Sequence, residues 1–139
     1  MSSPRYFTLE IITPDQLVYS GDVIQVIAPG SNGRFGILVN HTPALFMLTV
    51  GQVEVAAIGE NRLFTVSGGF AEVRNNVMKI IAEAAEDVQS LDVERARRAL
   101  QRAQLRISET MPKLDMVRAK ASLARATNRI HAAEKMGRA

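Results

Sequence analysis

The spacing of apolar residues changes near Ser90, and this change constrains the fold more than any other feature. Before it, apolar and polar residues alternate in runs such as "TLEI" and "QVEV", the period of strands with one wet face. After it, apolar residues recur at spacings of three and four, as one face of an α-helix requires. The chain is therefore predicted to be α+β: an antiparallel β-sandwich over residues 1–88, followed by an antiparallel two-helix hairpin over residues 89–139.

Turn residues separate the predicted strands. Asn75-Asn76 is predicted to form a tight hairpin turn because asparagine accepts positive φ angles, and Gly59-Glu60-Asn61 is predicted to form another. The glycines of "GSNGRFG" resemble a phosphate loop, but the Lys-Ser/Thr pair is missing, so a β-turn is predicted. "SGGF" is interpreted as a bulge or a close backbone approach. The predicted strands lie in RYFTLEIITP, DVIQVIAPG, FGILV, GQVEVAAI, RLFTVSGGFAEVR and VMKIIAE.

Two apolar stripes define the predicted helices. Ser90 or Asp92 can cap the first helix, Pro112 interrupts the pattern and Gly137 is a plausible stop. Many stripe positions are alanine, so the helices can approach closely while burying little apolar area. The hairpin is therefore a candidate for a conformational switch, the alternative being a hairpin that stays docked permanently. The stripes are Val93, Ala96, Leu100, Ala103 and Ile107, then Met116, Ala119, Leu123, Ala126, Ile130 and Ala133.

Charge is divided unevenly along the chain. Residues 1–90 carry a net charge of −4 and residues 91–139 a net charge of +7. Such a basic segment indicates an anionic partner, although a solvated helix surface remains the alternative. Arginines flank both apolar stripes, and their planar forks suit a polyphosphate lying between the helices. These arginines are Arg95, Arg98, Arg102 and Arg106 on the first helix and Arg118, Arg125 and Arg129 on the second.

Several classes of function are disfavoured by composition. The chain has no cysteine and only two histidines, His41 and His131, so neither a thiol nucleophile nor a metal site is predicted. No spacing of serines and carboxylates indicates catalysis, and no catalytic residue is predicted. No apolar run approaches the roughly 20 residues that span a bilayer, and the start lacks signal-peptide features. We therefore expect an intracellular chain that is not inserted in a membrane.

Five motifs in order resemble one family, the epsilon subunits of bacterial F-type rotary ATP synthases, called delta in mitochondria. "ITPDQLVYSGDV" resembles the family's opening strand and turn, and "GRFGILVNHTP" its GxxGILxxHxP loop. "FTVSGGFAEVRNNVMKIIAEAAE" is its most recognisable segment. "LDVERA" fits the I/L-D-x-x-R-A motif that opens the nucleotide site of ATP-binding members, and "LARATNRI" resembles the second half of that site. The resemblance spans essentially the whole chain.

The resemblance implies a non-catalytic rotor subunit that couples the gamma subunit to the c-subunit ring during proton-driven synthesis. It also implies that the helices extend toward the catalytic alpha and beta subunits and inhibit hydrolysis, with ATP as a regulatory ligand that favours the folded hairpin. Membrane association would occur only through the complex, at the cytoplasmic face of the bacterial inner membrane. The implied ATP-binding residues are Glu86, Asp92, Arg95, Ala96, Arg102, Arg125 and Arg129.

The resemblance also implies a subunit-contact loop around Gly33 to His41, with Gly33, Arg34, Phe35 and His41 as its residues. Many family members have an acidic residue where this chain has Arg34, and "VNH" replaces the commoner "PGH". The basic Arg34 changes the charge pairing with the c-ring loops that the family implies. The "VNH" sequence changes the turn before His41. Two other functions remain open: a nucleic-acid-binding hairpin on a β domain, although its helices lack aromatic residues for base stacking, and a structural coupling protein whose hairpin never moves.

Overall fold

A computed structural model describes residues 5–109 and 111–139, which form two compact units that divide between Asp87 and Val88. The first unit holds seven strands, and the second holds a 3-10 turn at Val88–Ser90 followed by two helices. The predicted fold class is confirmed. The elements are β1 Phe7–Ile12, β2 Leu17–Gly30, β3 Gly33–Leu38, β4 Ala44–Ala57, β5 Glu60–Arg74, β6 Val77–Ala82, β7 Ala85–Asp87, α1 Val93–Ile107 and α2 Lys113–Lys135.

The sheet of the first unit closes on itself. Its strands follow the order β1-β6-β5-β4-β2-β3, β7 pairs with β5, and β1 also pairs with β2. This last pairing gives the sandwich a barrel-like character. The pairings are antiparallel apart from β1 with β6, which run parallel. Nothing local in the sequence indicates this parallel pairing, because the two strands are far apart in the chain.

Alternation along the strands produces the core. In β1, Leu9 and Ile11 are fully buried, while the alternating residues Thr8 and Glu10 remain partly exposed. Burial of such side chains contributes about 25 cal/mol per Å² of apolar surface. The same two-residue period in β4 and β6 turns their apolar residues toward one cluster. Other fully buried members of this cluster are Val23, Val26, Ile37, Val53, Phe64, Met78 and Ile80.

Positive φ angles mark the tight connections. Asn75 and Asn76 have φ of 51° and 57°, which confirms the predicted hairpin turn between β5 and β6. The predicted turn at Gly59-Glu60-Asn61 is displaced: the strands are joined at Ile58-Gly59, and Glu60 already pairs with Ala57. Gly59 has φ of 79°, a left-handed conformation that glycine adopts readily. The turn therefore begins one residue before the predicted position.

The two glycine-rich segments behave as predicted. In "GSNGRFG", Gly30 pairs with Gly33 across a two-residue β-turn between β2 and β3. In "SGGF", Gly69 has φ of +118°, and a Cβ there would overlap the backbone of Ile81 and Ala82. The second segment is therefore a close approach of β5 to β6 that only glycine permits.

β4 is longer than the sequence pattern indicated. It begins at Ala44, whereas the alternating run that predicted it begins only at Gly51. The first half, "ALFMLTV", has no regular polar alternation because Leu45 and Met47 are exposed, at 66% and 61%. An exposed apolar side chain removes the signal by which a half-buried strand is recognised.

The ends of the two helices follow local signals. The carboxylate of Asp92 accepts a hydrogen bond from the Arg95 backbone N–H at 3.0 Å, which confirms one of the two predicted caps. α2 begins directly after Pro112. Gly137, with φ of +74°, ends it, and the following residue, Arg138, donates its N–H to the Ala133 carbonyl at 2.8 Å. Among the described residues, no helix has both the length and the apolar character needed to span a bilayer.

Small residues occupy the buried positions of the helical unit. Ala96 and Ala103 are buried on α1, and their spacing of seven confirms that they share one face. On α2 the buried residues include Ala119, Ala126 and Ile130. Because an alanine side chain removes little area from water, these contacts allow close approach of the helices with limited apolar stabilisation.

Candidate functional site

A cavity of about 370 Å³ lies between α1 and α2. Its charged lining consists of four arginines, two on each helix, and Ser122 contributes a hydroxyl. Three alanines complete the surface. The volume falls within the range of small-molecule sites, about 300–1,000 Å³. The lining residues are Ala99, Arg102, Ala103, Arg106, Ser122, Arg125, Ala126 and Arg129.

The helical repeat explains why the arginines meet there. Arg102 and Arg106 are four residues apart, and so are Arg125 and Arg129, which places each pair on one face of its helix. The buried alanines Ala103 and Ala126 lie beside them and leave room for the longer side chains. A groove with cationic rows on both walls results.

The charged side chains that line this cavity are all cationic. None of the described residues that line it carries a carboxylate. Arg125 donates through Nη2 to the Ser122 hydroxyl at 3.2 Å, a neutral partner that leaves its charge uncompensated by that contact. Like charges facing one another repel, and an anion between them would offset that repulsion because it attracts the guanidinium groups of both helices. Guanidinium groups can bind phosphate oxygens in a bidentate manner, which adds geometric selectivity.

The structure brings together three of the seven ATP-binding residues predicted from the sequence. Arg102, Arg125 and Arg129 all line the cavity. Arg95 is exposed on the first turn of α1, seven residues before Arg102 and hence about 10 Å away along the axis.

The remaining predicted residues have other environments. Asp92 caps α1, and its carboxylate is engaged by the backbone of that helix. Ala96 is buried on the first turn of α1. Glu86 lies in β7, within the first unit, where it is partly buried and pairs in register with Thr65. These residues are not among those that line the cavity.

Two polar residues of the cavity, Arg106 and Ser122, were absent from the predicted ATP-binding set, although Arg106 was among the arginines predicted to flank the first stripe. Arg106 follows Arg102 by one helical turn, so the spacing of four was a signal that could have included it. Ser122 precedes Arg125 by three residues and contacts it through its hydroxyl. No sequence signal distinguishes Ser122 from other helix-surface serines, because its role depends on the neighbouring helix.

The predicted subunit-contact loop is a strand over much of its length, because Gly33, Arg34 and Phe35 lie in β3 and only His41 lies in the turn region after it. Arg34 has partners within its own unit. Its Nη2 lies 2.7 Å from Oε2 of Glu54, and its Nη1 donates to the Gln52 carbonyl at 3.2 Å. The side chains of Arg34 and Glu54 are 46% and 33% exposed. The basic residue at a usually acidic position is thus compensated by a carboxylate two strands away.

Aromatic contacts order the rest of the predicted loop. Phe35 stacks on Phe46 with centroids 3.9 Å apart and planes at 12°. The His41 ring meets Phe46 edge to face at 6.4 Å, and its Nδ1 lies 2.7 Å from the Thr42 carbonyl oxygen. At Gly33, φ is +123° and the space around its Cα is open. His41 is therefore a loop residue held against an aromatic pair.

A second charged cluster anchors the end of the first unit. Arg62 pairs with Asp87 and, at 3.3 Å, with Glu60. Its guanidinium lies 5.4 Å from the Tyr19 ring centroid and 5.6 Å from that of Phe64, a cation–π arrangement. The hydrogen bond to Asp87 is the largest cause that raises the pKa of Arg62. Burial raises the pKa of Tyr19, against a smaller opposing effect of the arginine.

Comparison with known proteins assigns the two units to one class. The beta-sandwich domain of the ATP synthase delta/epsilon chain matches residues 6–88, and the long alpha-helix domain of the same chain matches residues 89–134. These two matches define a delta/epsilon-type chain of an ATP synthase, with its β domain first and its helices second.

The chain belongs to the ATP synthase delta/epsilon family, as an epsilon-type chain. It is 47% identical over 128 residues to the ATP synthase epsilon chain of Carboxydothermus hydrogenoformans, covering 92% of this chain and 96% of that one. It is 42% identical over 126 residues to that of Desulforamulus reducens, covering 91% and 96%. The epsilon chain of Nitratidesulfovibrio vulgaris Hildenborough is 46% identical over 101 residues, covering 73% and 75%. The family resemblance seen in the sequence is confirmed.

Solved structures share the fold at lower identity. A chain of the Euglena gracilis mitochondrial ATP synthase, in an OSCP/F1/c-ring structure, has a TM-score of 0.78 at 22% identity, covering 92% of this chain and 81% of that one. A chain of the Tetrahymena thermophila mitochondrial ATP synthase, in a central stalk/c-ring structure, has a TM-score of 0.66 at 17% identity, covering 95% and 98%. The β domain and helical pair are therefore a fold found in ATP synthase assemblies.

Proposed function

We propose that this chain is a non-catalytic rotor subunit whose helical hairpin responds to ATP. In this proposal the β unit couples the gamma subunit to the c-subunit ring during proton-driven ATP synthesis. The hairpin, when extended, reaches the alpha and beta subunits and inhibits hydrolysis. Bound ATP stabilises the folded, non-inhibitory hairpin. Family membership and the c-ring and central-stalk assemblies that contain similar folds support the rotor assignment.

The arginine-lined cavity is the observation that carries the nucleotide proposal. A triphosphate placed between Arg102, Arg125 and Arg129 would receive donors from both helices at once. An anion that contacts both walls is bound only while the helices are together, so it favours the folded hairpin. Arginine is suited to this role because its charge persists at all physiological pH values and its fork matches phosphate oxygens.

The other predicted residues are assigned to the nucleoside. Asp92 caps α1 and Arg95 and Ala96 lie in its first turn, about two to three turns before Arg102. This separation along one helix leaves length for a ribose and a base beyond the phosphates. Glu86, in β7 of the first unit, is assigned as an acceptor for hydroxyl or amino groups on the family resemblance alone. No metal ligand is assigned, and ATP is a regulatory ligand in this proposal.

The free energy available from ATP is sufficient for a switch. When free ATP is a hundred times the dissociation constant, binding favours the folded state by about 2.7 kcal/mol. This shifts a two-state population by about a hundredfold. The alanine-rich contact between the helices is a suitable element for such a shift, because its apolar stabilisation is limited.

The segment from Gly33 to His41, which comprises β3 and the residues after it, is proposed to contact the c-subunit ring. Phe35 and His41 are held against Phe46, which gives this end of the β unit a defined surface. Because Arg34 pairs with Glu54, the loop presents a compensated charge rather than an isolated cation. We place the subunit at the cytoplasmic face of the bacterial plasma membrane, associated with it only through the complex.

Hydrolysis by the reconstituted complex tests the regulatory part of the proposal. Complexes containing the full chain are compared with complexes whose chain lacks residues 91–139, at low and at high ATP. We expect the full chain to suppress hydrolysis at low ATP and the shortened chain to relieve this suppression, with ATP synthesis retained in both. Equal hydrolysis rates would leave a purely structural coupling role and remove the inhibitory one.

A further inference from the structure

The C-terminal end of α2 is tied to the segment that precedes α1. The guanidinium of Arg138 donates through Nη1 to the carbonyl oxygen of Val88 at 2.5 Å and to that of Leu91 at 2.7 Å. These partners are 50 and 47 residues away in sequence. Both carbonyls precede the first helical hydrogen bond of α1, which runs from the Ala96 N–H to the Asp92 carbonyl.

The geometry of the helix end explains why Arg138 reaches back. Gly137 adopts the left-handed conformation with φ of +74°, and its N–H bonds to the Glu134 carbonyl at 2.9 Å. The next N–H, of Arg138 itself, bonds to the Ala133 carbonyl at 2.8 Å. This reversal of the backbone is a helix-ending motif that redirects the chain. The side chain that follows the reversal is thereby presented to the 3-10 turn rather than carried further along the helix axis.

We infer that Arg138 is a latch that closes the base of the hairpin. α2 cannot leave α1 and the 3-10 turn without breaking both charge-assisted hydrogen bonds, and such bonds are stronger than neutral ones. The latch lies outside the arginine cavity, whose lining residues do not include it. It therefore resists opening by a contact that needs no nucleotide. An effect of the latch on the inhibition of hydrolysis rests on the function proposed above. The hydrogen bonds that form the latch do not depend on that function.

The latch joins the C-terminal end of α2 to the segment that precedes α1. Asp92 caps α1 immediately after Leu91, so the acceptor segment is fixed by the start of the helix. Val88 is fully buried, and its carbonyl also accepts the Leu91 N–H at 3.2 Å, which fixes the 3-10 turn itself. A guanidinium that donates to two backbone carbonyls, one in the 3-10 turn and one directly after it, constrains the position of the α2 terminus more than a single hydrogen bond would.

Hydrogen exchange of the full chain without nucleotide tests the latch. In Arg138→Gln, we expect the amides of the 3-10 turn and of the last two turns of α2 to exchange about threefold to tenfold faster than in the wild type. The amides of β5 serve as the internal reference and should not change. Arg98→Gln is the matched control because it removes the same charge from an exposed position on α1.

The outcomes separate the latch from the nucleotide proposal. Faster exchange confined to Arg138→Gln supports the latch whether or not the chain binds ATP. Unchanged exchange in Arg138→Gln, or an equal increase in Arg98→Gln, would overturn it. Arg138→Lys adds a second readout, because an ammonium group retains donors for carbonyl oxygens. Its exchange rates should lie closer to the wild type than those of Arg138→Gln, and equal acceleration in both variants would contradict a hydrogen-bonded latch.

Discussion

Asn40 and Asn76 form a reciprocal pair that joins the loop after β3 to the hairpin turn between β5 and β6. The Asn40 backbone N–H donates to Oδ1 of Asn76 at 2.6 Å, and Nδ2 of Asn76 donates to Oδ1 of Asn40 at 2.9 Å. Both residues are left-handed, with φ of 61° and 57°. Asn40 thus stands where the family's commoner "PGH" has glycine, adopts a left-handed conformation, and adds one hydrogen bond through its side-chain Oδ1.

Removing this pair should destabilise the β unit. Asn76→Ala loses both hydrogen bonds and also places alanine in the left-handed region. Asn75→Ala is the matched control, since Asn75 has φ of 51° and shares only the backbone effect. We expect the free energy of unfolding in urea to be about 1 kcal/mol lower for Asn76→Ala than for Asn75→Ala. Equal values for the two variants would show that the side-chain pair contributes nothing.

Stability at high pH should depend on Tyr19. Burial raises the pKa of Tyr19 in the folded state above the ordinary value of 10.0. The folded chain therefore keeps the hydroxyl proton of Tyr19 to a higher pH than the unfolded chain does. The free energy of unfolding therefore falls as pH rises above about 10. Tyr19→Phe should lack this part of the decline, whereas Tyr6→Phe, at an exposed position, should retain it. Parallel pH profiles for both variants would contradict the assignment.

The close approach of the helices should depend on alanine at position 126. Ala126 is buried, so leucine there would overpack the contact between α1 and α2 at a cost of about 1–3 kcal/mol. Ala121→Leu makes the same change at an exposed position of α2 and should be nearly neutral. Hydrogen exchange of α2 amides measures the difference. Slow exchange in Ala126→Leu equal to that of the wild type would mean that the helices do not pack through this residue.

The Arg34–Glu54 pair should behave as a partly exposed ion pair. Arg34→Glu and Glu54→Arg each place like charges together and should lower the free energy of unfolding by less than about 1 kcal/mol. The double reversal should recover part of that loss, with a coupling of about 0.3–0.5 kcal/mol at low salt. Urea unfolding of the four proteins measures this coupling, and additive losses would show that the pair is not energetically linked.

Local signals in the sequence were sufficient for much of the fold. The Asn75-Asn76 turn, the Asp92 cap and the Gly137 stop each depend on conformational preferences of one or two residues, and the structure confirms all three. The parallel pairing of β1 with β6 and the first half of β4 were not predicted. The parallel pairing depends on a partner distant in the chain, whereas the first half of β4 was missed because exposed apolar side chains such as Leu45 and Met47 interrupt its alternation.

In the candidate site, too, residues with a local sequence signal were predicted and residues that depend on distant partners were not. Arg102, Arg125 and Arg129 were predicted from helical spacing and family motifs, and the structure places them on one cavity. Ser122 depends on its orientation toward that cavity. Arg138 depends on a contact spanning 50 residues. Whether the seven predicted residues bind ATP stays a prediction.

Calorimetric titration of the full chain with ATP tests this prediction most directly. We predict one saturable site in the wild type, a loss of affinity of about tenfold or more in Arg102→Ala, and unchanged affinity in Arg98→Ala, because Arg102 lines the cavity and Arg98 does not. The absence of saturable heat in the wild type, or equal affinities for wild type and Arg102→Ala, would contradict an ATP site between the helices.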